Sequence, residues 1–157
     1  MKPKVHLLAR AVITDAQYFL LAHFHSATHT FLPGGHVEPG EGLVACLARE
    51  ICEELGVGSQ IGPYLGAVEH LWHDAVGAHY EINHCFAVTS PQLTRTAQVT
   101  SCEPALEFLW VHASEFARYN LLPAPLRALL THWHTGSAGV WWASTLIRAR
   151  ISMGSSG

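Results

Sequence analysis

Gly35-His36-Val37-Glu38-Pro39-Gly40-Glu41-Gly42-Leu43-Val44-Ala45-Cys46-Leu47-Ala48-Arg49-Glu50-Ile51-Cys52-Glu53-Glu54-Leu55-Gly56-Val57 is the stretch on which the fold turns. Within it Val44, Leu47, Ile51 and Leu55 recur at three- and four-residue steps, the period of an amphipathic helix. Gly56 stands where a left-handed C-terminal cap belongs, so a helix is expected over 42–55. At 100° per residue, Glu54, Glu50 and Glu53 fall at about −60°, −100° and −160° from Ile51, in one arc of roughly 100° beside the apolar stripe. Like charges at such spacings cost ~0.2–0.5 kcal/mol per pair. The helix dipole disfavours anions near its C-terminal end, and Arg49 is the one base nearby. A bound cation relieves all three penalties. Carboxylate oxygens without thiolate suit Mg²⁺, Mn²⁺ or Ca²⁺ better than zinc, and a Mg²⁺ ion so held takes further ligands from water and substrate phosphates. The plain alternative is that these acids form the solvated face of the helix.

Upstream, Val5–Ile13 and Tyr18–Leu21 read as two strands of an opening hairpin around Thr14-Asp15-Ala16-Gln17. Downstream, Ile61–Trp72 and Tyr80–Thr89 form a second hairpin, followed by a loop over 90–104, a strand Leu106–Val111 and a helix opened by Pro123-Ala124-Pro125. Val140-Trp141-Trp142 admits two readings, a final core strand or a hydrophobic patch for a homodimer.

The chain has 157 residues, 49% of them apolar, which suits one compact domain and is short for two. That domain is expected over 1–150, with 151–157 as a flexible tail. Charged residues make up 13%, about half the usual share of roughly 25%. Of the 12 acids, eight lie between His36 and Thr94, where Arg49 is the only base. Nine Lys plus Arg and a net charge of −3 give no electrostatic footprint for nucleic acid. No apolar run approaches the ~20 residues of a membrane helix, and no cleavage signal follows the early apolar run that Arg10 interrupts. Four cysteines without a C-x-x-C pair read as reduced thiols of a cytoplasmic protein, with Cys46 and Cys52 as small apolar fillers.

Gly35, five residues, Glu41, seven residues, and then Arg49-Glu50-Ile51-Cys52-Glu53-Glu54-Leu55-Gly56-Val57 resembles the signature of the MutT-like Nudix hydrolase family, G-x5-E-x7-R-E-U-x-E-E-x-G-U with U apolar. Every defined position matches, which at average residue frequencies happens by chance on the order of once in a billion windows. The flanking hairpins are similar to the family's too, so the resemblance extends to about Leu130. It implies an α/β fold, a mixed sheet sandwiched between α-helices (α/β/α). It also implies Mg²⁺-dependent hydrolysis of the pyrophosphate bond in a nucleoside diphosphate linked to another moiety, with Mn²⁺ as a substitute ion. By position, Glu50, Glu53, Glu54 and the Gly35 carbonyl would be metal ligands, and Glu41 would pair with Arg49 to brace the loop against the helix. Family members are similar in using as general base either the glutamate of the Arg-Glu pair, here Glu50, or one from a later loop. Glu103 is the loop candidate, and Glu107, within a strand, a weaker one.

Arg10 in its apolar strand is a candidate for reaching a substrate phosphate, and His36 for orienting phosphate or water. His70 and Trp72 on one strand and Tyr80 on the next offer polar and stacking groups for one pocket. No spaced histidine pair makes a zinc motif. No Pro or Tyr stands about 16 residues beyond Val57, where His73 lies, as the ADP-ribose and dinucleoside polyphosphate subsets would have, and the coenzyme A pattern is missing, so the substrate stays open. The rival class is a nucleotide-binding sensor that keeps the fold without turnover.

Overall fold

The structure is a computed structural model that describes residues 4–137 and 139–146. The tail expected over 151–157 lies outside the described residues. Along the chain run β1 (Lys4–Val12), β2 (Thr14–Asp15), β3 (Tyr18–Phe24), β4 (Gly34–His36), α1 (Leu43–Leu55), β5 (Gln60–His73), β6 (Ala78–Thr89), β7 (Leu106–His112), α2 (Leu126–His134) and β8 (Trp141–Ser144). A mixed sheet has the order β4-β1-β6-β5-β8, and a smaller antiparallel one β2-β3-β7. Among the described residues no helix is long and apolar enough to cross a membrane.

Strand alternation sorts the side chains between two cores. Ala9, Ala11 and Ile13 pack with Leu47, Ile51 and Leu55 of α1, whereas Val12 goes to the other face with Val68, Cys85 and Leu126 and Leu130 of α2. One helix therefore covers each side, the α/β/α layering implied by the resemblance. By the same alternation His6 and Arg10 belong to the α2 side.

Three expectations are corrected. The opening hairpin is much shorter than expected: β1 pairs β4 and β6, and only Thr14↔Phe19 and Asp15↔Tyr18 close the turn. The second half of β1 is covered on both faces, with Arg10 its one charged residue, and so becomes an inner strand of the large sheet, before the chain changes sheets at Ile13. On α1, Val44 is 52% exposed and Cys46 fully buried, because the first turn overhangs the sheet and the stripe begins at Cys46. Cys52 is exposed rather than a filler. The second hairpin forms as read, from Gln60↔Thr89 to His73↔Ala78. β8 takes the strand reading of its tryptophans, parallel to β5 with Trp141 in the core, while Trp142 is 61% exposed.

Candidate active site

The acids of α1 follow the angles of the helix. Glu54, nearest the apolar stripe, is buried, the Glu50 side chain is 16% exposed and that of Glu53, farthest round, 54%. Arg49 fills the seam between them. Its Nε and Nη2 donate to the two carboxylate oxygens of Glu41 at 2.8 and 2.9 Å, while Nη1 donates to Glu50 Oε1 at 2.9 Å and Glu53 Oε2 at 3.1 Å. Nη2 also reaches the His36 carbonyl at 3.2 Å, which ties the loop to the helix. These bonds pull the Glu41 carboxyl down to about 2 and hold Arg49 above its ordinary value. Burial pushes Glu54 up to about 7, against the pull of the Gly34 N–H, which donates to its Oε2 at 3.3 Å, and of Arg10.

A hard divalent ion fits this donor set. Among the described residues, Glu50 Oε2, Glu53 Oε1 and Glu54 Oε1 have no hydrogen-bond partner. The Gly35 backbone lies so close that a Cβ there would sit 2.5–2.6 Å from the Glu50 carboxylate, so glycine alone allows main chain and carboxylate to meet. Among the described residues no three His, Cys, Asp or Glu side chains stand close enough together to hold an ion by themselves. An open set of oxygens is the kind that Mg²⁺ completes with water and phosphate.

A cleft of about 510 Å³ opens on the α2 face of the sheet, and Arg10, His36, His70 and Trp72 all line it. Phe24, Phe31 and Leu32 form one wall and Leu122, Pro123 and Leu126 another. Arg10 stands on its floor: Nη1 donates to the Leu32 carbonyl at 3.2 Å and the Gly34 carbonyl at 2.8 Å, and Nε to Asn83 Oδ1 at 3.1 Å. Its guanidinium lies 5.3 Å from the centre of the Phe31 ring. Burial lowers its pKa, and Glu81 is the foremost charge opposing that shift. Gly34 thus offers its N–H to Glu54 on one side and its carbonyl to Arg10 on the other.

A model of the NUDIX domain matches residues 4–132. The chain belongs to the Nudix family. No curated protein gives a significant match. Among solved structures, the chain is similar to the E. coli ORF135 protein, with 26% identity over 87% of this chain and 96% of that one and a TM-score of 0.60. A MutT protein from Methanosarcina mazei is 25% identical over 86% and 96% of the two chains, with a TM-score of 0.65. An ADP-ribose pyrophosphatase from Streptococcus suis, at 12% identity, 88% and 98% coverage and a TM-score of 0.60, shares the fold. The chain is an enzyme of the Nudix hydrolase class.

Not every candidate converges on this Nudix site. Tyr80 is absent from the cleft lining. It pairs opposite Leu71, one residue out of phase with Trp72 and Glu81, so the period of two turns it to the other face of the sheet. Glu107 is held by His23 at 2.8 Å. Glu103 is exposed, in a loop pinned to the end of α1 by the Cys102 N–H donating to the Glu54 carbonyl at 2.7 Å, and its charge raises the Glu54 pKa.

Two groupings, apart from His36 itself, are not singled out by the sequence reading. Glu81 and Asn83 share the cleft floor with Arg10. Asp74, His79, His6 and His36 form a row, with His79 Nε2 3.0 Å from Asp74, His6 Nε2 2.9 Å from His79 Nδ1, and His6 Nδ1 2.9 Å from His36 Nε2. His79 also stacks on Trp72 at 4.0 Å, and His36 at the end of the row lines the cleft. The parity of β5 against β6 was the available signal: opposite partners share a face, so Trp72 brings His79 with it, His70 brings Glu81, and Val68 brings Asn83.

Proposed function

We propose that this chain hydrolyses the pyrophosphate bond of a nucleoside diphosphate linked to another moiety, with the nucleoside in the Arg10 cleft and the diphosphate beside α1. The observation that carries the reading is Gly34, whose N–H meets Glu54 and whose carbonyl meets Arg10, so that cleft and carboxylates lie within one residue of each other. A Mg²⁺ or Mn²⁺ ion held by Glu50, Glu53, Glu54 and the Gly35 carbonyl would neutralise the phosphoryl oxygens and acidify a water. Trp72 and Phe31 flank the base, and Arg10 and His36 face the phosphate end of the cleft. Glu50 or Glu103 takes the proton of the attacking water, the new P–O bond forms, and the bridging oxygen leaves with the other phosphate. Arg49 and Glu41 position the carboxylates without touching substrate. We place this activity in the cytoplasm, in one domain over residues 1–150.

The reading is tested with purified protein, Mg²⁺ and a panel of nucleoside triphosphates, nucleotide sugars and dinucleotides. Release of a nucleoside monophosphate from at least one of them is expected. Nucleotide binding without any product would instead establish the sensor reading.

A further inference from the structure

The row of Asp74, His79, His6 and His36 runs from the β5–β6 turn to the cleft, and its direction is set at the Asp74 end. Asp74 Oδ1 accepts from the Val76 and Gly77 N–H groups at 2.7 and 2.9 Å, which pins that oxygen to the turn and leaves Oδ2 3.0 Å from His79 Nε2. The Val76 bond foremost, with those of Gly77 and His79, holds the Asp74 carboxyl below its ordinary value. An ionised carboxylate only accepts, so a neutral His79 carries its proton on Nε2. Its Nδ1 is then a lone pair, and His6 Nε2, 2.9 Å away, must donate to it. His6 Nδ1 is a lone pair in its turn and takes the proton of His36 Nε2, also 2.9 Å away. His36 is left with a lone pair on Nδ1, which has no partner among the described residues. His79 is held in the row, being 5% exposed and stacked on Trp72 with 6° between the ring planes.

We propose that Asp74 is a positioning residue that acts through His79 and His6 to make His36 a hydrogen-bond acceptor, and that His36 takes the proton of a sugar hydroxyl of the nucleotide. This rests on the nucleotide reading above. An ionised phosphate oxygen only accepts, so it is the wrong match for a lone pair. With the base between Trp72 and Phe31 and the diphosphate beside α1, the sugar lies between the two, and so does His36, which lines the cleft and directly follows Gly35. One isosteric change reverses the row. In Asp74→Asn the turn still claims Oδ1, so an amide N–H faces His79 Nε2. His79 must then carry its proton on Nδ1, His6 and His36 follow, and His36 Nδ1 becomes a donor.

The inference is tested without divalent metal at about pH 8, where imidazole is neutral. In protein carrying ¹⁵N-labelled histidine, two-bond proton–nitrogen spectra report which nitrogen of a ring holds the proton, and the signals lost in His36→Ala identify that ring. The His36 proton should sit on Nε2 in the wild type and on Nδ1 in Asp74→Asn. Calorimetric titration then compares ribonucleoside diphosphates of the four common bases with their 2′- and 3′-O-methyl forms, whose ether oxygen accepts but cannot donate. In the wild type one of the two methyl positions should weaken binding about 2- to 12-fold, the worth of one hydrogen bond. In Asp74→Asn that ratio should fall toward one, because His36 then donates to hydroxyl and ether alike. Both ligands of a pair carry the same charge, so the lost Asp74 charge cancels. The ratio should also fall in His36→Ala, which keeps the inference open to refutation if the asparagine variant does not fold. An unchanged His36 tautomer in Asp74→Asn, no loss on methylation in the wild type, or the same loss in wild type and variants would overturn the inference while leaving nucleotide hydrolysis intact. A wild-type protein that neither binds nor hydrolyses any nucleotide would remove the proposed function first.

Discussion

The two halves of the candidate site are built in opposite ways. The carboxylate edge comes from one continuous stretch, Gly35 to Val57, whose members meet through helical periodicity and a single bridging arginine. The cleft is assembled from β1, the strand and loop before β4, the β5–β6 hairpin and the start of α2. A chemistry shared by many proteins is thus carried on a segment that keeps its own geometry, while the surface that chooses a ligand is spread over elements that can change one at a time.

The contrast is broken most directly at Glu53. Glu53→Gln keeps the size of the side chain but removes the charge from a half-exposed position, so turnover should fall by about 10²–10⁴-fold with little change in melting temperature. Millimolar Mg²⁺ should raise the melting temperature of the wild type, because an ion that binds the folded state alone stabilises it, and should raise that of the variant less. Retained turnover, or equal shifts, would remove Glu53 from the metal site.

Trp72→Ala sharpens the other side of the comparison. Loss of one stacking surface costs about 1–3 kcal/mol per base, which predicts a KM raised roughly 5- to 160-fold with kcat changed far less. A fall in kcat at unchanged KM would show that cleft and carboxylates are not separable in this way.

The smallest effect belongs to the brace. Glu41 is held at about 2 against an ordinary value of 4.5, so its unfolded form takes up a proton first as the pH falls. The stability it confers is complete above pH 4.5 and is lost toward pH 2. Glu41→Gln should therefore lower stability at neutral pH, and acid-unfolding curves of variant and wild type should draw together below pH 4.5. A gap independent of pH would mean that the Arg49 bond contributes through shape rather than charge.

How much of this was legible in the sequence follows from the same division. The helix, its cap at Gly56 and the order of burial of Glu54, Glu50 and Glu53 depend on angles within one element, and the period of 3.6 supplies them. Arg10, Trp72 and His70 were recognisable as unusual for their strands, yet Tyr80 is displaced by one residue of register. Glu81 and Asn83 acquire meaning only through the partners that the sheet gives them. The sheet change at Ile13 was hidden for a related reason: whether an apolar run pairs with its neighbour in sequence or with β6, 75 residues on, is decided by which faces must be buried.

Gly34 sits where the two halves meet, its N–H and its carbonyl lying in two successive peptide planes that share one Cα. An ion that draws Glu54 away loosens the N–H end, and a ligand that draws Arg10 loosens the carbonyl end. Whatever the ligand does to the affinity for the ion, the ion must do to the affinity for the ligand, by the same factor.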